Sequence, residues 1–102
     1  MKTLPVLLPT LFLLCSVGAA SARDVGLDEA AKLQSTGSIQ PLDQLNAAAL
    51  ARHPGGNITD TELDEEYGKH IYQVDITDKQ GVEWDVELDA ASGIVLKDHQ
   101  DR

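Results

Sequence analysis

The sequence is poor in cysteine and in positive charge, and both shortages narrow what the protein can be. Its single cysteine, Cys15, has no second cysteine with which to form an internal disulfide. Eight Lys and Arg residues stand against seventeen Asp and Glu residues, which gives a formal net charge of −9. A charge balance of this sign repels nucleic acid and anionic membrane surfaces, so we expect no nucleic-acid partner.

Long apolar runs are also absent, apart from one at the N-terminus. Met1-Lys2 supplies a positive charge, residues 4–17 are mostly apolar, and Ala20-Ser21-Ala22 fits a small-x-small cleavage pattern. The run is shorter than a membrane-spanning helix and contains two prolines. We therefore predict that residues 1–22 are a signal peptide cleaved after Ala22, with an uncleaved anchor as the alternative. The predicted product is periplasmic or secreted, with no stable membrane anchor.

Two helical patterns follow the leader. Residues 23–38 are polar, and Asp28–Leu33 within them has the pattern of about two helical turns, either as an ordered arm or as a flexible leader. Pro41–Arg52 is the stronger pattern, because Pro41 suits the first helical position and the leucines recur at helical spacing. Pro54-Gly55-Gly56 then ends the helix.

The rest of the chain has the alternation of β-strands. Val82–Asp89 is the clearest case, since its apolar and acidic residues alternate without exception. Further strands are predicted at Asn57–Glu65, with a bulge, at His70–Thr77 and at Ile94–Lys97. Residues 99–102 are predicted to be a frayed polar tail.

These elements predict an α+β fold. One amphipathic helix packs on a four-stranded antiparallel β-meander, and a short helical arm precedes it. The predicted core consists of helix residues and of the apolar face of the strands: Leu42, Leu45, Ala49, Leu50, Tyr72, Val74, Ile76, Trp84, Val86 and Leu88.

The order of these motifs resembles the PepSY domain family. The resemblance is carried by the helix, His53-Pro54-Gly55-Gly56, Tyr72-Gln73-Val74-Asp75-Ile76, and the run from Gly81 to Leu96, which ends in Asp-Ala-x-x-Gly-x-Val. It assigns a PepSY-like domain to residues 39–98. The resemblance implies a non-enzymatic module of the kind found in metallopeptidase propeptides, in small exported proteins and in membrane-bound sensors. Because the sequence ends at Arg102 without a peptidase, we expect action in trans.

No residue pattern in the sequence predicts a catalytic, metal or cofactor site. His53, His70 and His99 are too far apart in sequence to form a recognisable ligand pair. No serine has the Gly-x-Ser-x-Gly setting of a nucleophile. The stretch from Asp75 to Gly81 has the wrong spacing for a calcium loop.

One acidic constellation remains as a candidate surface, formed by Asp75, Glu83, Asp85, Glu87 and Asp89. Three interpretations stay open: a solvated outer face that keeps the sheet soluble, a docking face for a basic protein surface, or a weak divalent-cation site.

The sequence therefore predicts a non-enzymatic exported module that binds and modulates, for example inhibits, a peptidase or a sensor ectodomain in trans. The alternative is an acidic accessory protein of the periplasm that responds to divalent cations.

Overall fold

The computed structural model describes residues 22–101, and within them the fold is α+β with two helices and one antiparallel sheet. The predicted leader lies outside these residues, except for Ala22. The elements in chain order are β1 (Arg23–Asp24), α1 (Leu27–Ser35), α2 (Leu42–Leu50), β2 (Asn57–Glu66), β3 (Lys69–Thr77), β4 (Glu83–Asp89) and β5 (Val95–Gln100). Neither helix of the described part has the length and apolar character needed to cross a membrane.

The sheet is a meander in which each strand pairs with the next along the chain, in the order β1-β2-β3-β4-β5. The antiparallel meander was predicted, but the count of four strands was wrong. The fifth strand, β1, has only two residues, which pair with Glu65 and Asp64 of β2. A segment this short has no measurable alternation, so its sequence carries no strand signal.

The segment before α2 is an ordered arm, which decides between the two alternatives left open by its sequence. Val25 and Ala30 are buried and join the core, although Leu27 is exposed. The Arg23 guanidinium donates hydrogen bonds to the carboxylates of Glu29 and Glu65, which fastens β1 to both α1 and β2. Packing therefore stabilises a helix that would be marginal alone.

The second helix, α2, lies against the apolar side of the sheet. Leu45 and Ala49 are fully buried, and Leu42 and Leu50 pack at the margin of the core, as the 3.6-residue spacing predicts. The buried strand residues opposite them are Leu63, Tyr72, Val74, Ile76, Val86 and Leu88. The opposite side of the sheet has no helix of the described chain packed on it.

The assignment of Trp84 to the core is wrong. Trp84 is only partly buried, and its ring stacks on the His53 imidazole with the ring centroids 4.4 Å apart. Its indole N–H donates to Asp78 Oδ2 over 2.9 Å. The side chain lies near the end of the sheet, beyond the last turn of α2, where the helix no longer covers β4.

The predicted fraying of residues 99–102 is wrong for His99 and Gln100, which belong to β5. His99 pairs with Asp85 and Gln100 with Trp84. The strand extends this far because Asp98 turns towards the helix side and bonds to Arg52 and His53. The polar sequence suggested a loose tail, but the Asp98 side chain is paired and the backbone of the next two residues continues the ladder with β4.

Two irregularities in the ladder set which side chains share a face, one between β2 and β3 and one between β4 and β5 at Glu87/Leu88. Between β2 and β3 the register shifts at Thr59, which confirms the predicted bulge. Tyr67 and Gly68, at φ 52° and 84°, make the two-residue turn that joins these strands. Gly93, at φ 80°, closes the β4–β5 turn against the Gln40 side chain.

Candidate functional site

The open side of the sheet is covered with carboxylates from three strands. We call it the acidic face and define it by the predicted residues together with three from β2: Asp60, Glu62, Asp64, Asp75, Glu83, Asp85, Glu87 and Asp89. The strand registers put all of them on the side away from α2, because each stands opposite another residue of that side or alternates with residues of the core side. The bulge at Thr59 brings Asp60 onto this side, opposite Asp75.

Asp75 and Asp85 form the centre of the acidic face. They are directly opposite one another in the β3–β4 register, an arrangement that is unfavourable for like charges. Burial raises the pKa of Asp75, and repulsion from Asp85, Asp60 and other carboxylates raises it further. One buried oxygen of Asp85, Oδ1, has no hydrogen-bond partner. Two crowded carboxylates at one point make this a place that would attract a positive group.

The other predicted members of the face are partly engaged by neighbours. Glu87 accepts a hydrogen bond from Gln73 over 2.9 Å and lies 3.6 Å from the Lys97 ammonium. Asp89 accepts from the Ser92 hydroxyl over 2.8 Å, so it helps to build the turn. Glu83 is exposed. The five predicted residues thus share a face but are not equivalent.

A second carboxylate group, unpredicted from sequence, lies at the β1 end of the sheet. Asp24, Glu62 and Asp64 each bring one carboxylate oxygen within 4.8 Å of the others, and we call them the Asp24 trio. Hydrogen bonding with Asp24 and repulsion from Asp64 raise the pKa of Glu62 to about 7. Burial raises the pKa of Asp64, and hydrogen bonds with Glu62 and Asp64 lower that of Asp24. Three carboxylates close together share protons at mildly acidic pH.

The trio is only part of a cation site. Calcium takes six to eight oxygen ligands, and two of the three residues are exposed. The sequence could not have found the trio, because Asp24 reaches the other two only through the β1–β2 pairing.

A third polar group lies on the helix side, at the end of α2. His53 Nε2 is 2.8 Å from Asp98 Oδ1, and Arg52 Nε donates to Asp98 Oδ2 over 3.0 Å. Burial favours protonated Asp98, but the bonds from His53 and Arg52 hold its pKa below the usual value. Because Asp98 engages Nε2 and Trp84 covers the ring, His53 joins α2 to β5 and β4. The role of this polar network is therefore structural, since it connects the end of α2 to β4 and β5.

The turn between β3 and β4 is built by Asp78. Its carboxylate accepts from the Trp84 indole and from the backbone N–H groups of Gln80 and Val82, which together lower its pKa. An Asp at the start of a four-residue turn that ends in Gly81 is a recognisable turn signal, so this role was readable from the sequence.

The chain belongs to the PepSY family. The family described as "Peptidase propeptide and YPEB domain" matches residues 39–99, which include α2 and strands β2 to β4 and all of the predicted acidic positions. This confirms the family predicted from the motif order. PepSY domains are generally non-catalytic modules of the propeptide or regulatory type, are associated with peptidases, and are typically extracellular or periplasmic.

One relative is an uncharacterized protein, YkoJ, of Bacillus subtilis (strain 168). It is 38% identical over 50 residues, which make up 49% of this chain but 29% of that protein. The chain therefore corresponds to less than a third of this relative. No solved structure matches the chain.

Proposed function

We propose that this protein is an exported, non-enzymatic PepSY module that binds a basic surface of a peptidase or a sensor ectodomain in trans and inhibits or modulates it. The acidic face is the proposed docking surface. The observation that carries the proposal is the Asp75–Asp85 pair. Within the described residues the cation beside this pair is His99, 4.0 Å from Asp85 and charged only when protonated, and a Lys or Arg from a partner would relieve the repulsion.

A capture experiment tests this function. Immobilised protein is exposed to an extracellular or periplasmic extract, and each bound protein is then purified and assayed for altered peptidase or signalling activity. We expect Asp75→Asn/Asp85→Asn to reduce capture at least tenfold, and added salt to weaken it. Asp43→Asn is the matched control, because Asp43 is an exposed carboxylate on α2. Equal capture by all three proteins would rule out docking through this face.

Export is tested separately. The first strand, β1, begins at Arg23, directly after the proposed cleavage position, which supports a mature chain starting there. N-terminal sequencing of protein recovered outside the cytoplasm should give Arg23 as its first residue. A mature chain that retains Met1 or begins inside β1 would contradict the proposed cleavage.

The alternative function, a response to divalent cations, is favoured by the short oxygen separations of the Asp24 trio. Calcium at millimolar concentration should then raise the melting temperature, and Glu62→Gln should remove the rise. An unchanged melting temperature eliminates this function and leaves protein docking untouched.

A further inference from the structure

The outer edge of β2 is unpaired over most of its length. The strand has ten residues, yet β1 pairs only with Asp64 and Glu65, and the Val25 N–H adds one bond to the Leu63 carbonyl over 2.7 Å. Among residues 22–101, no strand pairs with the outer edge of residues 57–62. We call this stretch the free β2 edge.

The backbone of the free β2 edge presents hydrogen-bonding groups to solvent. The Leu63 carbonyl points outward, since it accepts from Val25. Successive residues of a strand direct their backbone groups to opposite sides, so the N–H and C=O of Thr61 also point outward. Thr61 is exposed, and an added strand would find both of its backbone groups there.

On the helix side, this edge borders an apolar groove. The groove has a volume of about 340 Å³ and lies between β2, the start of α1 and the start of α2. Leu27, which is 86% exposed, lies at its rim. Its remaining apolar lining comes from Val25, Ala30, Leu42, Leu63 and Tyr72.

On the opposite side, the same edge is acidic. Asp60 and Glu62 are both exposed, and Glu62 belongs to the Asp24 trio with its raised pKa. An incoming strand would place the side chains of one face beside these carboxylates and those of the other face above the groove. The peptide would therefore need basic side chains on the side facing the carboxylates and apolar side chains on the side facing the groove.

We propose that the free β2 edge binds an extended peptide by strand addition, and that the peptide alternates basic and apolar residues. The basic side chains neutralise Asp60 and Glu62, and the apolar ones enter the groove beside Leu63 and Leu42. The inference rests on the proposed function and deepens it, because it specifies the segment of the partner that is recognised. A second copy of this chain is a poor occupant, since two such edges would bring acidic rows together.

The test uses a capped octapeptide that alternates Lys and Val, titrated into the ¹⁵N-labelled protein. We expect the largest amide shifts at Thr61, Glu62 and Leu63. Two comparison peptides, one alternating Glu and Val and one with four Lys followed by four Val, should bind at least tenfold more weakly. Of two N-methylated versions, one methylated at the lysines and one at the valines, the version whose blocked N–H groups face β2 should lose binding and the other should keep it, because strand addition uses the N–H groups of one edge.

Thr61→Pro is the decisive variant. Proline removes the outward N–H but leaves the β2–β3 ladder, because proline is tolerated where the N–H faces solvent on an edge strand. We expect at least a tenfold loss of peptide affinity with the β3 and β4 amide spectrum retained. Gln100→Pro, on the outer edge of β5, is the matched control and should bind normally.

The outcomes separate this inference from the proposed function. Suppose that Thr61→Pro binds the alternating peptide normally while Asp75→Asn/Asp85→Asn fails to capture a protein partner. The strand-addition site is then wrong, and the acidic face remains the docking surface. If the alternating peptide does not bind at millimolar concentration, or if its amide shifts map to β5, the inference is also overturned. Capture of a protein partner judges the proposed function independently.

Discussion

Trp84 and Leu88 lie on the same strand and the same side of the sheet, yet they differ sharply in burial. Leu88 is fully buried, whereas Trp84 is partly exposed and leans on His53. Alternation in the sequence identifies the face of a strand but not how far a helix covers it. The apolar face of β4 was therefore predictable, while the position at which its core ends was not.

The first prediction compares these two residues. Leu88→Ala should lower the free energy of unfolding by about 2–5 kcal/mol, because it leaves a cavity in a closed core. Trp84→Ala should lower the free energy of unfolding by less than Leu88→Ala does, since water can fill much of the space that the indole vacates. Leu96→Ala, at an exposed position of β5, is the control and should lie within about 0.5 kcal/mol of wild type. Urea unfolding measures all three, and a larger loss for Trp84→Ala would contradict the assigned burial.

The second prediction concerns Glu62 and pH. Its pKa is raised from 4.5 to about 7 in the folded chain, so the folded state holds the proton more tightly than the unfolded state. The contribution of protonated Glu62 to the stability of the folded state is fully present below pH 4.5 and is lost as the pH rises through 7. Melting temperature should therefore increase as the pH falls from about 8 to about 5.

Two observations check this pH response. Glu62→Gln should flatten it, because the amide does not titrate. At lower pH the trend should reverse, since the lowered pKa values of Asp78 and Asp98 mean that their hydrogen bonds are lost as the pH falls below the usual aspartate range. A melting temperature that falls steadily from pH 8 to 5 would contradict the assigned direction.

At the scale of elements, α2 and the long strands were predictable because each repeats its pattern several times. The first strand has two residues and depends on contacts with Glu29 in α1 and with Glu65, 42 residues away in β2, so no local pattern reveals it. The length of β5 was missed for a related reason: its polar residues look solvent-facing until Asp98 meets His53. The acidic face followed from alternation, whereas the Asp24 trio needed the pairing of β1.

The third prediction tests how the arm is attached. Val25→Ser places a hydroxyl in the buried position between β1 and α1 and should loosen both elements. Amide hydrogen exchange should then accelerate in α1, Leu27–Ser35, and remain slow in β3 and β4. Leu27→Ser is the control, because Leu27 is exposed, and its exchange should match wild type. Uniform acceleration across the sheet would mean that the arm and the sheet unfold together.

At the scale of the whole molecule, the dominant quantity is the net charge of −9. Carboxylates crowd one side of the sheet, and the cations beside them on β5 are limited to Lys97 and, when protonated, His99. Their repulsion acts over distances that salt shortens, from a screening length of about 30 Å at 0.01 M to about 10 Å at 0.1 M. The charge distribution therefore opposes folding.

The fourth prediction follows from this repulsion. Sodium chloride added up to about 0.3 M should raise the melting temperature, because screening relieves the acidic face more than it weakens the few ion pairs. Glu83→Lys should reduce the salt response, and Lys79→Glu should enlarge it. Lys79 lies within the β3–β4 turn and Glu83 just after it, so the two exposed positions form a matched pair of opposite sign. A melting temperature that falls with salt in the wild type would contradict the prediction.

The bulge at Thr59 has a consequence for the tolerance of this strand to insertions and deletions. Ile58 packs against the core while Asp60 faces solvent, although two residues of a regular strand at this separation would share a side. Thr59 is thus an extra residue that shifts the alternation of inward and outward side chains by one position. Its deletion would therefore remove the bulge and leave Ile58 facing the core and Asp60 facing solvent, because adjacent residues of a regular strand point to opposite sides.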